Sequence, residues 1–302
     1  FMDKVKVLVI IVTYNAMEWI DRCINSILRS SVSSDIYLID NGSTDGTQEY
    51  ILHNYPQVIF VQSISNQGFG QANNLGLRYA LECNYDYVYL LNQDAWVMPD
   101  TLEKLIVINQ KKPEYGVLSP FQLQGNALNM DVNFAMYICS YKSNSFLIND
   151  LYFNRRQDVY EVPDVMAAHW LISSNCLRRV GGFSPTFPHY GEDVNYANRV
   201  MYHGFKLGIV PDTIAVHDRE SRKGLTLEQK RYRAYLNALV TLSNIYKPEA
   251  YPFFKMTMRL FVAILRLRSI RLLGYYFKIL GDYSSIHHNM RISKGEAAFL
   301  QE

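Results

Sequence analysis

The sequence predicts an α/β protein: a mostly parallel central sheet flanked by helices, followed by a helical C-terminal extension. Three observations carry this. From the start to about Pro99, short apolar runs alternate with helical periodicity, the pattern of βαβ units. Three of those runs stop abruptly in polar residues: Val7 to Val12 in Thr13-Tyr14-Asn15, Ile36 to Ile39 in Asp40-Asn41-Gly42-Ser43, and Tyr87 to Leu91 in Asn92-Gln93-Asp94. Open α/β sheets place ligands beyond the carboxyl ends of their strands, so these polar tips predict one site. Beyond about Thr226 the pattern is helical, with no further strand signal.

In chain order, strands are expected at 5–12, 35–39, 57–62 and 86–91, with helices at 17–30, 45–54 and 70–82 between them. Ser43 or Asp45 can cap the 45–54 helix, and Glu49 stands in its first turn. The 70–82 helix offers Ala72, Leu75, Leu77 and Ala80 for packing. Residues 100–160 look like a variable insert, with a helix at 100–110 and strand candidates at Tyr115–Ser119 and Ala135–Ile138. Order returns from Val165 to Ser174, then come Gly181-Gly182-Phe183 and a helix from near Glu192 to about Tyr202. Strand runs follow at Lys206–Val210 and, after Pro211, Thr213–Val216, the last ending in His217-Asp218.

A chain of 302 residues with a net charge of +2 gives no global reason to expect a nucleic-acid partner. Cys23, Cys83, Cys139 and Cys176 form no C-x-x-C pair, which argues against a zinc site and a disulfide framework and for a reducing cytosol. The first residues run straight into a strand without the three-part pattern of a secretory signal, so a cytoplasmic location is expected.

The polar tips carry the chemistry. Asp40, just past a strand, can accept from a base or a ribose hydroxyl, whereas Asn41, Ser43 and Asp45 are also explained by a capped turn. The stretch Asn66-Gln67-Gly68-Phe69-Gly70-Gln71-Ala72-Asn73-Asn74 offers a G-x-G pair before a helix, but Asn73 occupies the third-glycine position and the stretch follows the third strand. A dehydrogenase fingerprint therefore fails on context, and a tight turn presenting polar groups remains. Asp94 suits a hard divalent cation bridged to phosphates. Glu192-Asp193 opens a helix, where the macrodipole alone accounts for two acids and a general base is the functional alternative. His217 stands at the last strand end as a metal-ligand candidate.

Taken together, the segments Val12-Thr13-Tyr14-Asn15, Asp40 to Gly46, Asn66 to Asn74, Leu91 to Asp94, Gly181-Gly182-Phe183, Gly191-Glu192-Asp193 and Val210-Pro211-Asp212 followed by His217 resemble the family 2 glycosyltransferases. These are inverting enzymes of GT-A fold, and the resemblance is nearest to the rhamnosyltransferase-like branch. It implies a catalytic domain over 1–225, with 1–99 as the nucleotide-sugar half and 100–225 as the acceptor side, and a helical region over 226–302. It implies that Thr13, Tyr14, Asn15, Asp40, Gly68, Asn73, Asn92 and Gln93 bind the nucleotide sugar. Asp94 and His217 would hold Mg2+ or Mn2+, and Asp193, with Glu192 beside it, would be the catalytic base. Asn92 stands where many relatives have an acid, and Asn195 replaces another, which puts metal dependence in question and hints at a deoxysugar donor.

The implied reaction moves a sugar from a dTDP- or UDP-linked donor, with dTDP-rhamnose among the candidates, to a hydroxyl of a cell-surface glycan or lipid-linked oligosaccharide. The rival readings are a non-catalytic sugar-nucleotide or glycan-binding protein on the same fold and a nucleotidyltransferase. Between Phe253 and Leu280 there is no acid, while Lys255, Arg259, Arg266, Arg268, Arg271 and Lys278 interrupt an apolar sequence too often for a spanning helix. Peripheral contact with the inner face of the cell membrane, a homodimer interface and a helix packed on the catalytic domain are the three uses open to this segment.

Overall fold

Successive side chains of a strand point to opposite faces, and the first strand is apolar on both, so it belongs inside a sheet covered on two sides. The computed structural model, which describes residues 5–139, 146–219 and 224–301, places it there. Strands β1 (Val7–Thr13), β2 (Asp35–Asp40), β3 (Ile59–Gln62) and β4 (Tyr87–Asn92) alternate with helices α1 (Ile20–Leu28), α2 (Thr47–Asn54) and α3 (Phe69–Glu82). They lie parallel in the order β3-β2-β1-β4, as the alternation predicts.

Next come β5 (Ala95–Val97), α4 (Thr101–Lys111), β6 (Tyr115–Leu123), α5 (Val132–Cys139), α6 (Leu147–Tyr152), β7 (Tyr160–Val162), β8 (His169–Ser173), α7 (Ser174–Val180), α8 (Glu192–Tyr202) and β9 (Lys206–His217). The sheet continues from β4 as β8-β6-β9-β5, with β7 also on β9. In this half the directions mix: β6 and β9 are parallel, whereas β8 runs against β4 and β6, and β9 runs against β5 and β7. Val7, Val9 and Ile11 pack on one face with Ile24 of α1, Ile51 of α2 and Leu105 of α4. Leu8 and Ile10 pack on the other with Leu77 of α3, Leu177 of α7 and Val200 of α8.

Three local expectations change. The runs flanking Pro211 are one strand, β9, whose pairing slips between Pro120↔Val210 and Phe121↔Ile214, a bulge that absorbs a residue unable to donate to the ladder. Ala135–Ile138 is helical: Asp131 accepts from the Phe134 amide at 2.8 Å and starts α5, which buries Phe134 and Ile138, four residues apart on one face. Helix α2 starts at Thr47 behind a left-handed Gly46, and Asp45 joins the Met17 and Thr47 amides at 3.1 Å each instead of capping it with Ser43.

The C-terminal region forms α9 (Leu227–Ser243), α10 (Pro252–Leu267), α11 (Leu272–Gly281) and α12 (Tyr283–Ile292) around their own apolar cluster, which takes in Phe187 from the segment before α8. A capping box between Thr226 and Gln229 opens α9. The tail then turns back: the Ala297 amide donates to the Arg178 carbonyl and the Gly182 amide to the Ala298 carbonyl, both at 2.8 Å, and Leu300 joins the main core. This contact explains the glycine pair. Gly181 has φ +81°, and a Cβ there would stand 2.1 Å from the Ala298 oxygen. Arg199, fully buried, donates to the carbonyls of Val180 and Gly182 and faces the Phe299 ring at 4.9 Å.

Gly181→Ala combines a forbidden backbone region with a clash against fixed main chain. Urea unfolding of this variant is expected to show a loss of at least about 2 kcal/mol, and a loss within error would mean that the tail contact is dispensable.

Candidate functional site

The chain runs outward from β1 to β3 and then crosses back to β4, so the sheet order reverses between β1 and β4. Beyond their carboxyl ends lies a cavity of about 340 Å3, closed on the far side by Met166-Ala167-Ala168, by His189 and Tyr190, and by the start of α8. Of the residues the sequence nominates, Thr13, Tyr14, Asn92, Gln93, Asp94, Glu192 and Asp193 line it. Asn15, Asp40, Gly68, Asn73 and His217 do not.

Those outside the wall hold the loops that form it. The Tyr14 amide donates to Gln93 Oε1 at 2.7 Å and Gln93 Nε2 returns a bond to the Tyr14 carbonyl at 3.1 Å, which locks the tips of β1 and β4 together. Asn15, at φ +51°, accepts from the Thr44 amide at 2.8 Å, while its own amide donates to Ser43 Oγ at 2.9 Å. Asp40 is fully buried, and its carboxylate accepts from Thr13 Oγ1 at 3.1 Å, the Gly42 and Ser43 amides at 3.1 and 2.9 Å, Gln48 Nε2 at 2.7 Å and the Ser43 hydroxyl. The expected contact of Asp40 with a base therefore meets a carboxylate already engaged by the end of β1, by its own loop and by α2. Gly68 stands where a Cβ would lie 2.0 Å from the Pro188 oxygen, so its role is a close approach of two loops. Asn73 donates to the Phe69 carbonyl one turn back at 2.9 Å.

The adjacent Asn74 closes the Asn66–Asn74 stretch, and the sequence assigned it no role of its own. It is buried and pairs with the Phe183 backbone in both directions, at 2.9 and 2.7 Å, which fixes the chain that leads toward α8.

Asp94 sits in the turn between β4 and β5, and the pairing of Ala95 with His217 brings β9 alongside. His217 Nε2 lies 3.2 Å from Asp94 Oδ1, and the ring is completely buried. Burial outweighs the neighbouring carboxylate and holds His217 below the usual histidine range, so the neutral ring donates one hydrogen bond. Behind it, His169 sits 3.0 Å from the Val216 carbonyl and 2.9 Å from Tyr89 Oη. A carbonyl only accepts, so His169 Nε2 carries the proton and Nδ1 accepts from the phenol; burial lowers its pKa to about 3. The β5–β9 register sets the His217 ring against Asp94, and the ring is not among the groups that line the cavity.

The wall itself offers two hard oxygens. Asn92 Oδ1 is buried without a hydrogen-bond partner, close to the Asp94 carboxylate in sequence and on the same cavity. Magnesium and manganese accept such ligands when substrate phosphates and water complete the shell. Among the described residues no group of three His, Cys, Asp or Glu side chains could hold a metal unaided.

Across the cavity, Tyr190 at φ +64° and Gly191 at φ +87° turn the chain into α8, and Tyr232 Oη donates to the His189 carbonyl at 3.1 Å. Glu192 and Asp193 follow as the first two helical residues. Glu192 is 7% exposed, and its Oε2 has no hydrogen-bond partner. Burial, then the charge of Asp193, push its pKa up to about 8. Asp193 opens into the cavity yet is crowded by protein, and burial raises its pKa as well. Both acids are thus harder to ionise than free carboxylates, and Glu192 holds its proton up to about pH 8. Two further groups escaped the sequence reading. Tyr137 of α5 comes near enough for Asp193 to help burial raise its phenol, and Arg219, two residues past His217, lines the cavity.

Residues 8–162 match the family model described as Glycosyl transferase family 2. The chain is 23% identical over 230 residues to a low-salt glycan biosynthesis hexosyltransferase of Haloferax volcanii, covering 76% of this chain and 72% of that one. It is 26% identical over 245 residues to an N-acetylglucosaminyl-diphospho-decaprenol L-rhamnosyltransferase of Mycobacterium tuberculosis, covering 72% and 77%. Its fold is similar to that of S. aureus TarS 1-349 in complex with UDP-GlcNAc, with a TM-score of 0.61, 14% identity and coverage of 96% and 84%. It is also similar to a Pyrobaculum calidifontis mannosyltransferase in complex with GDP-Man and Mn2+, with a TM-score of 0.60, 18% identity and coverage of 97% and 84%.

The raised pKa of Glu192 has a definite consequence for stability. Between its ordinary value of 4.5 and about 8 the folded chain holds a proton that the unfolded chain has released, so stability falls as pH rises through that window. Glu192→Gln removes this proton uptake. Thermal unfolding from pH 5 to pH 8 should show the variant gaining on the wild type by at least about 1 kcal/mol, and parallel pH profiles would refute the assignment.

Proposed function

The chain belongs to glycosyl transferase family 2, has the GT-A fold and is a glycosyltransferase, and from that premise we propose an inverting transfer from a nucleotide-activated sugar with Asp193 as general base. The observation that carries this reading is the facing of Asp94 and Asp193 across one cavity at the sheet's switch point. The donor diphosphate lies on the Asn92–Asp94 wall, with Thr13 and Tyr14 toward the nucleotide. Asn15, Asp40, Gly68, Asn73 and Gln93 keep the loops of that wall in place. Asp94 and Asn92 Oδ1 would hold Mg2+ or Mn2+, which would supply positive charge toward the leaving group. An acceptor hydroxyl on the α8 side attacks the anomeric carbon in line, Asp193 takes its proton, and the bond to the diphosphate oxygen breaks with its electron pair on that oxygen. One displacement inverts the centre.

Glu192 serves Asp193 by staying protonated: a second negative charge next to the base would raise its pKa further and compete for the same proton. In this reading residues 1–225 are the catalytic domain, with 1–99 on the donor side and 100–225 on the acceptor side, and 226–302 are an accessory region. A dTDP- or UDP-linked deoxysugar is the proposed donor, in line with the rhamnosyltransferase relative. The name of that relative describes a sugar on a diphospho-decaprenol, which supports a lipid-linked oligosaccharide or growing surface glycan as acceptor here.

An acceptor on a lipid calls for contact with the membrane face, and α10 has the surface for it. No helix among the described residues is long and apolar enough to cross a membrane. On α10, Met256 and Leu260 are buried, while Phe254 at 63%, Phe261 at 52% and Leu265 at 61% exposure form a second apolar stripe with Met258. At 100° per residue, Lys255, Arg259 and Arg266 fall between the two stripes. A helix with an uncovered apolar stripe flanked by cations suits an anionic lipid surface better than a second copy of the same basic stripe.

Two outcomes test these proposals. Asp193→Asn should lower sugar transfer at least about a thousandfold while donor binding, followed by calorimetry, stays within a factor of three or so; near-normal turnover would remove Asp193 from the base role. Liposomes containing phosphatidylglycerol should pellet the protein, and Phe261→Glu with Leu265→Glu should leave it in the supernatant; equal recovery of both proteins would count against the membrane reading.

A further inference from the structure

The reading above gives tasks to the acids of the cavity and none to Arg219, the cation on its wall. Past the end of β9, Arg219 lines the same cavity as Asn92, Asp94 and Asp193. Its Nη2 lies 3.1 Å from the Met166 sulfur, and its Nε donates to His217 Nδ1 at 3.1 Å, on the ring whose Nε2 meets Asp94 Oδ1 at 3.2 Å. Asp131, which starts α5, stands 4.0 Å from Arg219 Nε. The guanidinium is therefore held at the Asp94 end of the cavity, where a diphosphate would lie.

The metal ligands on that wall are sparse. Cation affinity follows the number and charge of the oxygens offered, and here the protein offers one carboxylate and one neutral amide oxygen. Arginine by contrast carries a permanent charge on a planar fork that matches two phosphate oxygens. Resting on the glycosyltransferase reading, we propose that Arg219 is the protein's own cation for the donor diphosphate, binding its terminal phosphate directly. As the anomeric bond breaks, the electron pair settles on a terminal phosphate oxygen, and the bonds from Arg219 strengthen with it. Nucleoside diphosphate then binds without a divalent ion, and the ion adds to a site that already works.

The test compares nucleoside diphosphates with monophosphates, since only the former carry the terminal phosphate. Binding of UDP, dTDP, UMP and dTMP to the full chain is measured by calorimetry in EDTA and again with Mn2+. Wild type is expected to bind one of the diphosphates in EDTA, and Arg219→Gln to bind it at least tenfold more weakly with the matching monophosphate unchanged. Arg219→Lys, which keeps the charge and loses the fork, should fall between them and decides the matter if the glutamine variant does not fold. Equal diphosphate affinity in all three proteins overturns the assignment, as does EDTA abolishing diphosphate binding by wild type. An equal loss for monophosphate and diphosphate would make Arg219 a structural residue. Wild type that binds none of the four would overturn the sugar-nucleotide reading itself, a failure distinct from these.

Discussion

The contact between Asp94 and His217 joins the two halves of the sheet beside the cavity. Asp94 belongs to the turn after β4, the last strand of the parallel half, and His217 ends β9 in the mixed half. The β5–β9 ladder sets the distance between them, and the Asp218 amide adds a bond to the Asp94 carbonyl at 2.8 Å. Gln93 ties the same turn to Tyr14 of the β1 tip. A carboxylate held from both sides has little freedom left to lose when a ligand arrives, which is the physical meaning of a preorganised site.

Burial, more than charge, sets the protonation states around this contact. Desolvation is the largest cause of the shifts at His169, His217, Glu192 and Asp193, and in each it disfavours the charged form. The two histidines are thereby neutral donors in a chain that runs from Tyr89 through His169 to the Val216 carbonyl, beside the His217–Asp94 pair. The acids at the start of α8 share the same low-dielectric surroundings, and adjacency forbids both from ionising cheaply, so the pair gives up its protons in separate steps.

The parallel half was legible because its signals are local. Apolar runs, polar tips and helical spacing each lie within a few residues, and the cavity walls made by Thr13, Tyr14, Asn92, Gln93 and Asp94 follow from them. What escaped depends on partners far along the chain. Ala135–Ile138 reads as a strand when taken alone, since short apolar runs fit either period, and only Asp131 and the buried Phe134–Ile138 face settle it as helix. The Gly181-Gly182 pair stood out as a motif, but its reason lies at Ala297 and Ala298. His217 was nominated by its place at a strand tip, but its contact with Asp94 depends on the register of a strand more than a hundred residues away in sequence. Asp40 stands at the expected strand end, and no sequence pattern reveals that five donors converge on it.

The tail that returns to Gly181 and Gly182 also sets an order of events during synthesis. Leu300 belongs to the same apolar cluster as Leu8 and Ile10 of the first strand, so that cluster spans nearly the whole described chain. A ribosome delivers residues one after another, and early segments start to fold while later ones are still unmade. Here the parallel half can pair its strands early, yet the Gly181-Gly182 turn after α7 lacks its main-chain partners until residues 297 and 298 are made. The segment that leads from α7 to α8 is thus anchored at its start by residues made more than a hundred positions later.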